Sequence, residues 1–137
     1  MQIVRVNKNM NRNIILIILF LSSSYSVAQT AEDIIKDLYS SEFTLSGPNP
    51  AEIEITEIEL NNKSPKEILA RFLHRENCGN RGCSTYIITK ENNAWGEITP
   101  SLITHGDIEV LKEKNNGFFN IRFGEGKIWK YDGNSYK

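Results

Sequence analysis

The stretch AEIEITEIEL, residues 51–60, decides how the rest of the chain is read. Its isoleucines and leucine alternate with glutamate and threonine at a period of two, the pattern of a half-buried strand and not of a helix. Ile53 and Ile55 share one parity, whereas Ile58 and Leu60 share the other. That change near Thr56 predicts a bulge or a bend, because a one-residue slip otherwise turns the apolar set outward. Glu52, Glu54, Glu57 and Glu59 form a row of carboxylates along the same segment. Paired carboxylates can cleave glycosides, but on a half-buried strand the row is more simply its solvated side.

Downstream, runs at 67–73, 84–90, 94–99, 107–113, 118–123 and 126–131 are each of strand length. Between them lie ENN (91–93), KNNG (114–117) and FGEG (123–126), short polar turns whose Asn and Gly predict hairpins. Within 118–123 the alternation places Phe119, Ile121 and Phe123 inward and Asn120 and Arg122 toward water. Upstream, SGPNP (46–50) breaks the chain. Before it, TAEDIIKDLYSS (30–41) reads as a short helix, with Thr30 as N-cap and Asp33 completing a capping box. Ile34, Ile35 and Leu38 give that helix one apolar face, and at this length it needs something to dock on. The expected fold is α+β: one domain over 29–137, with an N-terminal helix packed on a curved, mainly antiparallel β-meander of six or seven strands.

Residues 1–28 have a different character. Arg5, Lys8 and Arg12 precede the unbroken apolar run IILIILFL (14–21), and SSSYSVAQT follows it. This order predicts a secretory signal peptide, with Ser26 and Ala28 at the −3 and −1 positions and Gln29 as the mature N-terminus. Met10 could also serve as the start, since the signal is complete from there. As a helix the run reaches roughly 12 Å, far short of a hydrocarbon core of about 30 Å. No cysteine follows it for lipid attachment, so the product is expected in the periplasm or outside the cell, with no stable membrane insertion after cleavage.

The chain carries 16 Lys and Arg against 17 Asp and Glu, but three of the basic residues and no acidic one lie in the first 28. The remaining 13 against 17 leave the body at a formal −4. With no cluster of Lys and Arg, such a body disfavours nucleic acid as a partner.

Cys78 and Cys83 enclose GNRG. In an exported protein this spacing favours a disulfide, and the flanking glycines permit the tight turn it would lock. A closed loop of six residues is worth only about 2 kcal/mol of chain entropy, so the bridge shapes a hairpin end more than it holds the fold. The alternatives are a redox pair and a metal site. Redox dithiols favour Cys-x-x-Cys, and His74 and His105 do not complete a zinc spacing.

Glu59, Asn61, Lys63 and Glu67 occupy positions 1, 3, 5 and 9 of ELNNKSPKE. Oxygen ligands at this spacing form the calcium loop Asp-x-Asn-x-Asp-Gly-x-x-Glu. This loop with the ILARF run behind it, CGNRGC (78–83), NNGFFNIRF (115–123) and WKYDGNSY (129–136) resemble small exported proteins of Gram-negative bacteria. In those an Asp-Leu-Asn-Gly-Asp-Gly-like loop leads to a strand, a Cys-Gly-x-x-Gly-Cys hairpin and a closing aromatic-Asp-Gly-x-x-Tyr segment. The resemblance spans roughly 52–137 and implies a fold and export, not an activity. Lys63 stands where that loop has its second Asp, and Ser64 with Pro65 replaces its glycine turn. An ammonium group there repels a divalent ion and can pair with Glu59 or Glu67, so the expected loop is degenerate, closed by Lys63, and holds no metal.

Catalytic signatures are sparse. No Gly-x-Ser-x-Gly, His-Glu-x-x-His or phosphate-binding glycine loop occurs. A hydrolase would have to use His74 or His105 with a carboxylate. Trp95, Phe118, Phe119, Trp129, Tyr131 and Tyr136 supply most of the aromatic mass, chiefly for packing. Arg75, Arg81, Tyr86 and Trp95 are the candidate contact residues around the CGNRGC turn, since Trp, Tyr and Arg dominate binding hot spots. The sequence thus predicts an exported binding or accessory protein without catalytic activity or cofactor, its partner a protein or glycan of the cell envelope. One version is an inhibitor or immunity protein against an envelope-directed enzyme; the rival is a small cell-wall hydrolase.

Overall fold

The computed structural model describes residues 28–43, 52–100 and 102–137. The expected signal peptide up to residue 27 and the 46–50 break lie outside the described residues. Helix α1 (Ala31–Leu38) begins as its sequence predicts: the Thr30 hydroxyl accepts from the Asp33 N–H, and the Asp33 carboxylate accepts from the Thr30 N–H. Ile34 and Ile35 are buried, but Leu38 is 41% exposed and does not join the docking face. A short 3₁₀ turn, Ser40–Phe43, follows.

Among the described residues nine strands follow in two sheets, not one meander. The larger contains β1 (Ile53–Ile58), β2 (Glu67–Phe72), β3 (Cys78–Gly79), β4 (Gly82–Glu91), β5 (Ala94–Glu97) and β6 (Leu102–Thr104). Every pairing is antiparallel, and the ten-residue β4 is the axis. Ile88 pairs with both Ile68 and Glu97, and Cys83 with both Cys78 and Thr104. One edge of β4 therefore takes β2 and β3, and the other takes β5 and β6. The second sheet runs β7 (Ile108–Asn115), β8 (Phe118–Phe123), β9 (Ile128–Trp129). At two and three residues, β3 and β6 are too short to carry a periodic signal in the sequence.

The large sheet is a middle layer. Ile68, Ala70, Phe72 and Ile88 pack against Ile34 and Ile35 of α1 on one face. On the other, Leu69, Ile87, Ile98 and Leu102 pack against Phe118, Ile121 and Phe123 of the small sheet. Successive strand residues point to opposite faces, so β2 is buried at all six positions. This also corrects the reading of β1. Its register against β2 runs without interruption from Ile53↔Phe72 to Ile58↔Glu67, so neither bulge nor bend occurs at Thr56. Ile53 and Ile55 serve the helix side and Ile58 the small-sheet side: the parity changes because both faces are covered.

The irregularity lies in β7 instead. Between the pairs Val110↔Ile121 and Lys114↔Phe119, β7 spans four steps where β8 spans two. Consequently β8 departs from strict alternation. Ile121 and Phe123 are buried as expected, but so are Phe118 and Asn120, and Phe119 is only half-buried. The C-terminal segment closes this side of the core, where Tyr131 packs on Phe118 at 4.3 Å between ring centroids and on Tyr136 at 5.6 Å.

Candidate functional site

The CGNRGC segment forms the end of the β3–β4 hairpin. Cys78 pairs with Cys83 and Gly79 with Gly82, and Asn80 and Arg81 are left as a two-residue loop. The two cysteines are joined as a disulfide. Gly82 has φ +119°, and a Cβ there would collide with the Thr104 carbonyl of β6, so glycine alone lets the turn close onto its neighbour. Arg81 thus projects from a loop locked covalently on one side and packed against β6 on the other.

Beside it runs a groove of about 210 Å³ between β6 and the β8–β9 connection. Ile103, Thr104 and His105 form one wall, Phe123, Gly126 and Trp129 the other, with Arg81 and Lys127 at the rim. The Lys127 ammonium sits 3.7 Å from the Trp129 ring centroid, a cation–π contact that holds the lysine without neutralising it. Among the described residues neither Arg81 nor Lys127 pairs with a carboxylate. Among the described residues no Asp or Glu lines the groove, although the body as a whole is acidic. A second hollow, of about 380 Å³, lies on the other side of Arg81 and Ile103 and includes Glu76, Asn77 and Ser84. These two residues form a ridge between the concavities, and Ile103 is 42% exposed.

The four expected contact residues are not one patch. Arg81 and Arg75 lie at the disulfide end, Arg75 in the 3₁₀ turn Arg75–Asn77. Trp95 pairs with Lys90 at the opposite end of β4, nine residues from Arg81 and hence roughly 30 Å away. Tyr86 lies between them on the helix side, with its ring 4.8 Å from Tyr39 and 5.5 Å from Phe72. The groove residues Ile103, His105, Lys127 and Trp129 come from segments that only the packing of the two sheets brings together.

His74 caps the 3₁₀ turn, its Nδ1 accepting from the Glu76 N–H at 3.4 Å, and its Nε2 lies 3.9 Å from Glu52. His105 is exposed. Both thiols are consumed in the disulfide. The carboxylate row is divided: Glu54 is bound by Arg71 at 3.0 Å, and the Glu59 carboxylate accepts from the Asn62 N–H at 2.6 Å.

The loop over 59–67 differs from expectation. Lys63 is exposed and pairs with neither Glu59 nor Glu67. The loop turns its oxygens onto its own backbone instead, Asn61 Oδ1 accepting from the Lys63 N–H at 2.7 Å. Glu67 is fully buried, accepting from the Leu60 N–H at 2.8 Å and the Thr89 hydroxyl at 3.2 Å. Burial pushes the Glu67 carboxyl above its usual range, against the pull of these donors. Among the described residues no cluster of three His, Cys, Asp or Glu could hold a metal ion.

The class defined by this architecture is an α+β domain in which a sheet is covered by a helix on one face and a smaller sheet on the other. No family model, curated protein or solved structure matches the chain, so the resemblance to small exported proteins of Gram-negative bacteria rests on its motifs alone.

Proposed function

We propose that the chain is an exported, non-catalytic binding or accessory protein whose contact surface is the disulfide end of the sheet. The groove carries this reading: two unneutralised cations, a half-buried Trp129 and an exposed Ile103 stand around a turn fixed by a disulfide and by Gly82. Arg and Trp at a rigid, partly desolvated site are what binding hot spots use. A disulfide is compatible with an oxidising compartment, and the basic–apolar–small-residue order of residues 1–28 and the motif resemblance support export to the periplasm or beyond. An inhibitor or immunity protein directed at an envelope enzyme is the concrete form of this proposal.

The rival reading, a small cell-wall hydrolase, is favoured by one observation, the approach of His74 to Glu52. Affinity capture from envelope extract separates the two. A binder retains a defined partner, and His74→Ala retains it equally. Failure to recover any partner, together with loss of a wall-degrading activity in His74→Ala, overturns the proposal.

A further inference from the structure

We infer that the groove at the disulfide end docks an extended acidic segment of a partner protein, laid along the unpaired edge of β6. This rests on the binding-protein reading and names the chemistry of its partner. β6 pairs with β4 on one side only, and among the described residues no strand takes its other side. A strand edge offers unpaired N–H and C=O groups to an incoming chain, and strand addition is a recurrent mode of peptide capture. The groove follows that edge, since Ile103, Thr104 and His105 form its wall.

Charge selects the segment. Among the described residues Arg81 and Lys127 stand on the rim with no carboxylate partner; Asp107 and Glu125 do not line the groove, and Glu76 lines the neighbouring hollow without pairing with Arg81. A basic segment would be repelled at this rim by Arg81 and Lys127, whereas an acidic one is held off elsewhere by the body's net negative charge and neutralised only here, so charge fixes where it docks. Alternation selects it further. Along an added strand every second side chain faces the same way, so acidic residues can meet Arg81 and Lys127 while those between them rest on Ile103, Phe123 and Trp129.

The test is titration of the ¹⁵N-labelled chain with a capped peptide of alternating glutamate and valine, with an oligogalacturonate of equal charge in a parallel arm. Saturable amide shifts confined to residues 81–82, 102–105 and 126–129 are expected from the peptide. The double variant Arg81→Glu, Lys127→Glu is expected to weaken it by at least about tenfold, while Lys90→Glu at the far end of β4 leaves it unchanged. Shifts scattered over the surface, or an affinity indifferent to the double charge reversal, overturn the inference. Displacement of the peptide by oligogalacturonate with the same shift pattern also overturns it, in favour of a glycan. If envelope capture retains a partner but the peptide does not bind, only the acidic segment falls; if neither binds, the binding-protein reading falls with it.

Discussion

The carboxylate of Glu67 accepts the backbone N–H of Leu60 at 2.8 Å, and this bond closes the loop over 59–67 from inside the core. Glu67 opens β2 and Leu60 follows β1, so the bond ties the two ends of the β1–β2 connection beneath its exposed tip. The buried carboxylate, and not the Lys63 ammonium, performs the closure. Removing it with Glu67→Ala strands the Leu60 N–H and the Thr89 hydroxyl and should cost about 2–4 kcal/mol in urea unfolding. A loss below about 1 kcal/mol would show that water satisfies these groups.

Acidity should act on the fold in two directions. Burial raises the Glu67 carboxyl above its usual value, so the native state holds its proton more tightly than the unfolded chain. The resulting stability is fully present below the unfolded value and is lost as pH rises through the folded one. Glu67→Gln keeps an acceptor for the Leu60 N–H and offers an amide NH2 to the Thr89 hydroxyl, which turns to accept it, so its Tm advantage over wild type should grow as pH is raised from about 4.5 toward neutrality. A constant difference across that range contradicts this account. Asp33, lowered by the Thr30 hydroxyl, and Asp132, lowered by Lys137, act oppositely: their contribution is lost as pH falls through their lowered folded values.

Calcium should leave the protein unmoved. The Glu59 and Asn61 oxygens already accept from backbone N–H groups, Lys63 stands at the fifth position, and Glu67 is turned into the core. Millimolar calcium is expected to shift Tm by less than about 1 °C. A rise of several degrees would restore the loop as a cation site.

The two glycines of the disulfide turn should respond very differently. A Cβ at Gly79 meets nothing within 4 Å, so Gly79→Ala should change stability by less than about 1 kcal/mol. Gly82→Ala must both leave φ +119° and clear the Thr104 carbonyl, and should cost at least about 3 kcal/mol while detaching β6. Amide exchange across the β4–β6 pairs distinguishes detachment from general loosening. Replacing both cysteines with serine should cost only about 2 kcal/mol and leave the sheet intact.

The features legible in the sequence are those whose physics is local. Thr30 and Asp33 are three residues apart and satisfy one another, so the start of α1 could be read directly. Cys78 and Cys83 flank a turn too short to leave them apart, and 118–123 is a strand with the expected bounds. The candidate contact residues are grouped by type, and the structure spreads them along β4. Nothing in the order of residues says that Arg81 and Trp95 sit at opposite ends of β4, or that Lys127 folds over Trp129 beside Arg81.

By itself the sequence determined that this protein has a capped helix, a succession of antiparallel strands and a stapled turn, because period, capping and loop closure act over a few residues. The tertiary structure alone decided that Ile55 and Ile58 serve opposite layers, that Glu67 is an internal strut, and that the unpaired cations share a groove. Those outcomes depend on what covers each face of the large sheet. A period of two records that a strand has two faces, and only the packing of α1 and of the second sheet makes both of them interior.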